Sequence, residues 1–123
     1  MTKYVGTWTF GATEEDLRVL RLRVVNAAGE VWGTAMGTGW SPALQIRKVN
    51  QTALAETLAG SWTDATEEYA VFAIGQDATL APSGDARSVD YEAVLVLTKS
   101  GASTYVYADA DSSPFGFRTQ VWP

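Results

Sequence analysis

The sequence contains no cysteine and no histidine. Without thiols, disulfides, thiolate nucleophiles, cysteine-held zinc and iron–sulfur clusters are all excluded. Without imidazole, the usual proton shuttle near neutral pH is missing, as is the commonest nitrogen ligand for zinc or copper. No serine has a histidine base to activate it. Long apolar runs are also absent: nothing reaches the roughly 18 residues that a membrane-spanning helix needs. The opening Met1-Thr2-Lys3-Tyr4-Val5-Gly6 does not place a basic stretch before an apolar one, so no secretory signal is predicted and cytoplasmic synthesis is expected. Positive charge is in the minority, with 9 Lys and Arg against 14 Asp and Glu and a net charge of −5. That sign repels phosphate backbones, so no nucleic-acid partner and no membrane insertion are expected. The chain is expected to be no enzyme, with no cofactor, no metal and no catalytic residue assigned.

What is present is a pattern of period two. The 123 residues, 46% of them hydrophobic, suit one globular domain spanning 1–123. In Leu17 to Val25, the residues Leu20, Leu22 and Val24 form an apolar face, and Arg21 and Arg23 lie opposite, as a half-buried strand requires. Thr13 and Asp16 could instead cap a helix, but the clean alternation and the Asn26-Ala27-Ala28-Gly29 turn favour a strand. Lys3 to Phe10 is predicted as an opening strand with Tyr4, Trp8 and Phe10 on one face. Ala43 to Lys48 is predicted as another, with Leu44 and Ile46 inward. Leu54 to Trp62 reads as an edge strand or a short helix, and Tyr69 to Ile74 as a short strand.

Asp90 to Thr98 is the strongest strand, and its near-continuous Val94 to Leu97 predicts cover on both faces and a central place in a sheet. A turn at Lys99 to Ser103 leads into Thr104 to Ala108 as its hairpin partner. Phe115 to Val121 closes the chain, with Phe115, Phe117 and Val121 inward. About seven to eight short strands separated by turn residues are the mark of an all-β sandwich or small barrel. Two long connections, Gly33 to Trp40 and Gln76 to Val89, are expected to be loops.

Few constellations carry chemistry. Asp109 and Asp111 alternate in a way that could hold calcium, but no nearby glycine and distal glutamate complete such a loop, and a solvated turn is preferred. Glu14-Glu15-Asp16 and Glu67-Glu68 read as solvated faces or caps, and Lys3, Lys48 and Lys99 as solvated strand ends. Gly37-Thr38-Gly39 has no following lysine and is no phosphate cradle. The five tryptophans and five tyrosines are more informative. Trp8 and Trp62 are expected in the core. Trp32, Trp40, Tyr105, Tyr107 and Trp122 are the candidate protein-binding residues, near loops and the last residues of the sequence.

Leu20-Arg21-Leu22-Arg23-Val24-Val25 followed by Asn26-Ala27-Ala28-Gly29, then Leu44-Gln45-Ile46-Arg47-Lys48, Asp90 to Leu97, the Lys99-Ser100-Gly101 turn and the closing Val121-Trp122-Pro123 occur in a telling order. Together they resemble the small immunoglobulin-like proteins of tailed-bacteriophage virions, in particular the N-terminal domain of phage baseplate upper proteins. The loops 33–40 and 76–89 are longer than in that pattern. The resemblance implies an immunoglobulin-like antiparallel β-sandwich and a non-enzymatic structural role as tail, baseplate or fibre-attachment adaptor or capsid decoration. It implies other virion proteins and copies of itself as partners, and a place in the virion after assembly in the host cytoplasm. The alternative is a carbohydrate-binding module that stacks a surface glycan on Trp32, Trp40, Tyr105 or Tyr107.

Overall fold

The computed structural model describes residues 3–14, 18–26, 28–99, 102–105, 107–108 and 115–121, with backbone alone at 3, 102–105 and 107–108. Its strands are β1 (Lys3–Phe10), β2 (Leu20–Val25), β3 (Ser41–Lys48), β4 (Glu56–Ala59), β5 (Ser61–Trp62), β6 (Tyr69–Phe72), β7 (Ser88–Lys99), β8 (Ala102–Tyr105), β9 (Tyr107–Ala108) and β10 (Phe115–Val121). One short helix, α1 (Trp32–Met36), precedes β3, and two 3-10 turns, Ile74–Gln76 and Ala78–Leu80, follow β6. The chain is therefore mostly β, in two sheets dominated by antiparallel pairs.

One sheet runs β1-β10-β7-β3-β4, with β8 also paired to β7, and the other runs β5-β6-β2-β9. Among the described strands, the exception to antiparallel pairing is β1 against β10, which is parallel. β7 is the spine of the larger sheet. Its first half pairs with β10 and its last four residues with β8, while β3 runs along its other side. Val96, on the face opposite Leu95 and Leu97, is buried as well, in keeping with the predicted central position.

Alternation dictates which residues meet between the sheets. Leu20, Leu22 and Val24 of β2, Leu44 and Ile46 of β3, Ala70 and Phe72 of β6, Tyr91, Ala93, Leu95 and Leu97 of β7, and Phe115 and Phe117 of β10 form one core with Trp8 and Trp32. Each large aliphatic or aromatic side chain buried in this way contributes about 1.5–3 kcal/mol. Several polar atoms within the core are paired. The Trp8 indole donates to the Val19 carbonyl at 2.8 Å, and the Leu80 carbonyl accepts from Thr119 Oγ1 at 2.7 Å and from the Tyr91 hydroxyl at 3.2 Å. Leu80 thereby pins the long 73–87 connection to the sheet, although the sequence pattern there predicts only a loop.

Three expectations need correction, and one open choice is settled. Tyr4 does not share a face with Trp8 and Phe10, because the register slips between Tyr4 and Gly6. Gly6 has φ +151° there, and a Cβ on it would stand 3.2 Å from the Trp8 ring. Such a bulge turns every residue before it to the other face. The 33–40 stretch is not all loop, since α1 occupies its start. Of Thr104 to Ala108, only the part to Tyr105 pairs with β7, and Tyr107–Ala108 crosses to Val24 and Val25 of β2 in the other sheet. Leu54 to Trp62 is no helix but two short strands, β4 at the edge of the larger sheet and β5 at the edge of the smaller.

Candidate functional site

Two connections converge at the end of the sheets where β7 finishes: 26–40 between β2 and β3, and 63–68 between β5 and β6. The first opens with Asn26, whose side-chain oxygen accepts from the Ala28 and Glu30 backbone N–H groups, each at 3.0 Å. α1 then starts without a side-chain cap and stops at Gly37, φ +82°, where glycine tolerates the left-handed backbone. Gly33 packs so tightly on the second connection that a Cβ would lie 1.9 Å from the Thr66 carbonyl oxygen.

Glu67 organises this end. It is 7% exposed and has φ 58°, and its carboxylate accepts from Gly39 N–H at 2.7 Å and from Trp40 N–H at 3.2 Å. A carboxylate facing two backbone donors makes charge-assisted bonds, stronger than neutral ones. Lys99, the last residue of β7, donates to the Thr38 carbonyl at 2.8 Å and lies 5.7 Å from the Trp40 ring centre. The Trp62 indole donates to the Trp40 carbonyl at 2.6 Å. Three side chains from three different strands or turns thus hold the backbone from Thr38 to Trp40.

The residues displayed above these supports, Thr34 to Gly39, are all exposed. They belong to an uncharged run from Val31 to Ile46, bounded by Glu30 and Arg47. In a chain with net charge −5, this is a locally neutral crest of small side chains and one exposed methionine, Met36. The crest is rigid at its base and neutral at its tip.

The sequence-predicted residues fall differently. Trp32 is 7% exposed and belongs to the core, so it presents no open ring to a partner. Trp40 is half-buried and meets Trp32 edge-on, 5.4 Å between ring centres and 80° between planes. The indole N–H groups of both are buried without an acceptor among the described residues. Trp8 is in the core and Trp62 packs against it. Tyr105 and Tyr107 lie on β8 and β9 by their backbone, on different sheets. Trp122, Asp109 and Asp111 lie outside the described residues. Among the described residues no cluster of acidic groups could hold a metal ion, and no helix is long and apolar enough to cross a membrane.

Glu67 and Lys99 escape the sequence reading, because an acid pair after a turn and a lysine at a strand end both look solvated. The signal that marks their target is the 16-residue stretch between Glu30 and Arg47 with no charge. Glu68 does behave as a partly solvated face, pairing with Arg23 at 2.9 Å. Neither a comparison with protein-family models nor a search of curated proteins finds a match to this chain.

Proposed function

We infer that the chain is an immunoglobulin-like β-sandwich that works as a non-enzymatic contact domain, docking through its loop end onto other proteins, copies of itself included. The observation that carries this reading is the neutral crest Thr34–Gly39 on a base held by Glu67, Lys99 and Trp62. A pre-organised loop loses little conformational entropy on docking, and residues presented on such loops are where rigid scaffolds place recognition. The sandwich assignment is supported by the strand orders, with β1 beside β10, then β7, β3 and β4 in one sheet, and β5, β6 and β2 in the other.

The biological setting we propose is the tailed-phage virion, as a tail, baseplate or fibre adaptor or a capsid decoration, and it rests on the sequence resemblance. Sedimentation equilibrium over a wide concentration range tests the contact role, with Met36→Glu expected to weaken association and leave the melting temperature unchanged. Immunogold labelling of purified particles tests the setting. A chain that stays monomeric throughout and is missing from particles overturns the reading.

A further inference from the structure

At the far end of β7 from the crest, the outer face of the larger sheet carries a depression of about 320 Å³, whose lining includes Tyr4, Val49, Asp90, Glu92, Gly116 and Arg118. Its construction is legible in the register. Tyr4 stands beside Gly116, and Gly116 beside Glu92, on three adjacent strands. Gly116 has no side chain, so the floor between Tyr4 and Glu92 is open. One step along, Arg118 and Asp90 close the wall through a two-pronged ion pair at 2.8 and 3.3 Å. That pair satisfies both of its own charges.

Two features mark the depression as more than a gap between side chains. First, the bulge at Tyr4–Gly6 is what brings Tyr4 to this face. Without it, Tyr4 would share the inward parity of Trp8 and Phe10, which face Thr119 and Val121. Bulges are over-represented at sheet edges, as on β1, and next to active sites, where they re-aim a side chain, and Tyr4 is 56% exposed here. Second, Glu92 is half-buried and, although Arg47 stands opposite it on β3, it makes no hydrogen bond or ion pair among the described residues, while Asp90 beside it is committed to Arg118. An aromatic ring, an unengaged carboxylate and an open floor form a cavity at the small end of the range for specific sites.

We propose that this depression binds a cationic side chain, arginine or lysine, projecting from a basic segment of a partner protein. The stem of such a side chain lies over Gly116, its charged head meets Glu92, and the Tyr4 ring contributes cation–π attraction. The whole chain agrees in sign, since a net charge of −5 steers a basic partner toward it. The inference deepens the contact-domain reading, on which it rests, by naming the chemistry of one partner.

The test is a titration of the isotope-labelled chain with a hexa-arginine peptide, read by backbone amide shifts, with a neutral glycine–serine peptide as control. Shifts centred on Tyr4, Glu92 and Gly116 are expected. Glu92→Gln should weaken binding about three- to fivefold, Tyr4→Ala about threefold, and Tyr4→Phe little. Gly116→Val, which fills the floor on an outward-facing position, should abolish the localised shifts. Asp85→Asn, an exposed acid that does not line the depression, should leave affinity unchanged. No binding, shifts spread over all the acidic residues, or equal weakening by Asp85→Asn and Glu92→Gln each overturns the proposal. A failed peptide titration with self-association retained sinks this inference alone, whereas the broader reading falls by the separate sedimentation and labelling measurements.

Discussion

The Glu67 carboxylate lies 2.7 Å from the Gly39 amide nitrogen, 28 residues earlier in the chain, and closes one connection onto another. Replacing it with alanine strands two backbone donors and removes a charge-assisted acceptor, so Glu67→Ala should cost about 2–3 kcal/mol in urea unfolding. Glu67→Gly should cost less than Glu67→Ala, because φ 58° strains any residue with a Cβ. Equal losses for the two variants would mean that backbone strain contributes nothing there.

Gly33→Ala is expected to be more disruptive than its size suggests. The added methyl meets a backbone carbonyl rather than a flexible side chain, so α1 and the 63–68 turn must separate. A loss of about 1–3 kcal/mol or more is expected, with hydrogen exchange accelerating at Gly39 and Trp40 before it does in β7. Exchange that accelerates uniformly would argue against a local lever.

Lys99→Met keeps the aliphatic stem and removes the bond to Thr38. The site is partly exposed, so the stability change should be under about 1 kcal/mol. The crest, rather than the fold, should respond, and self-association should weaken while the melting temperature holds. The measurement is sedimentation beside differential scanning calorimetry on the same preparation.

Tyr91 gives a pH-dependent expectation. Burial, and then the charge of Asp77, raise its phenol above the usual tyrosine value of 10.0. The folded state therefore holds this proton more tightly than the unfolded chain does. The stabilisation is fully present below about pH 10 and is lost as pH rises from there through the raised folded value. Tyr91→Phe should cost about 1 kcal/mol at neutral pH through the lost bond to Leu80, and this deficit should shrink above pH 10. Denaturant midpoints of both proteins at neutral and strongly alkaline pH check it, and a deficit constant with pH would contradict the burial of the phenol.

Much of the sheet architecture was open to inspection in the residues, because side-chain alternation is a local code. Leu20, Leu22 and Val24 face inward as their spacing requires, and so do Leu44 with Ile46 and Phe115 with Phe117. The code fails where one backbone irregularity intervenes. At Tyr4 the same spacing points to the core, and a single bulge reverses it. It fails as well for side chains whose role depends on a distant partner. Nothing local to Glu67 announces Gly39, and nothing local to Trp32 says that it sinks beside Trp40 rather than facing water. Leu80 lies in a polar stretch, yet its carbonyl anchors Tyr91 and Thr119.

The pairing of β1 with β10 also has a consequence for how the molecule is made. Gln120 reaches Thr9 across 111 positions of sequence, so β1 has no partner in the larger sheet until β10 has been synthesised. Contacts between such remote segments form slowly because a long loop must close first. During synthesis the first strand is a loose ribbon without its neighbour, and the glycine-marked bulge within it is the kind of irregularity that discourages unwanted strand pairing in the interval.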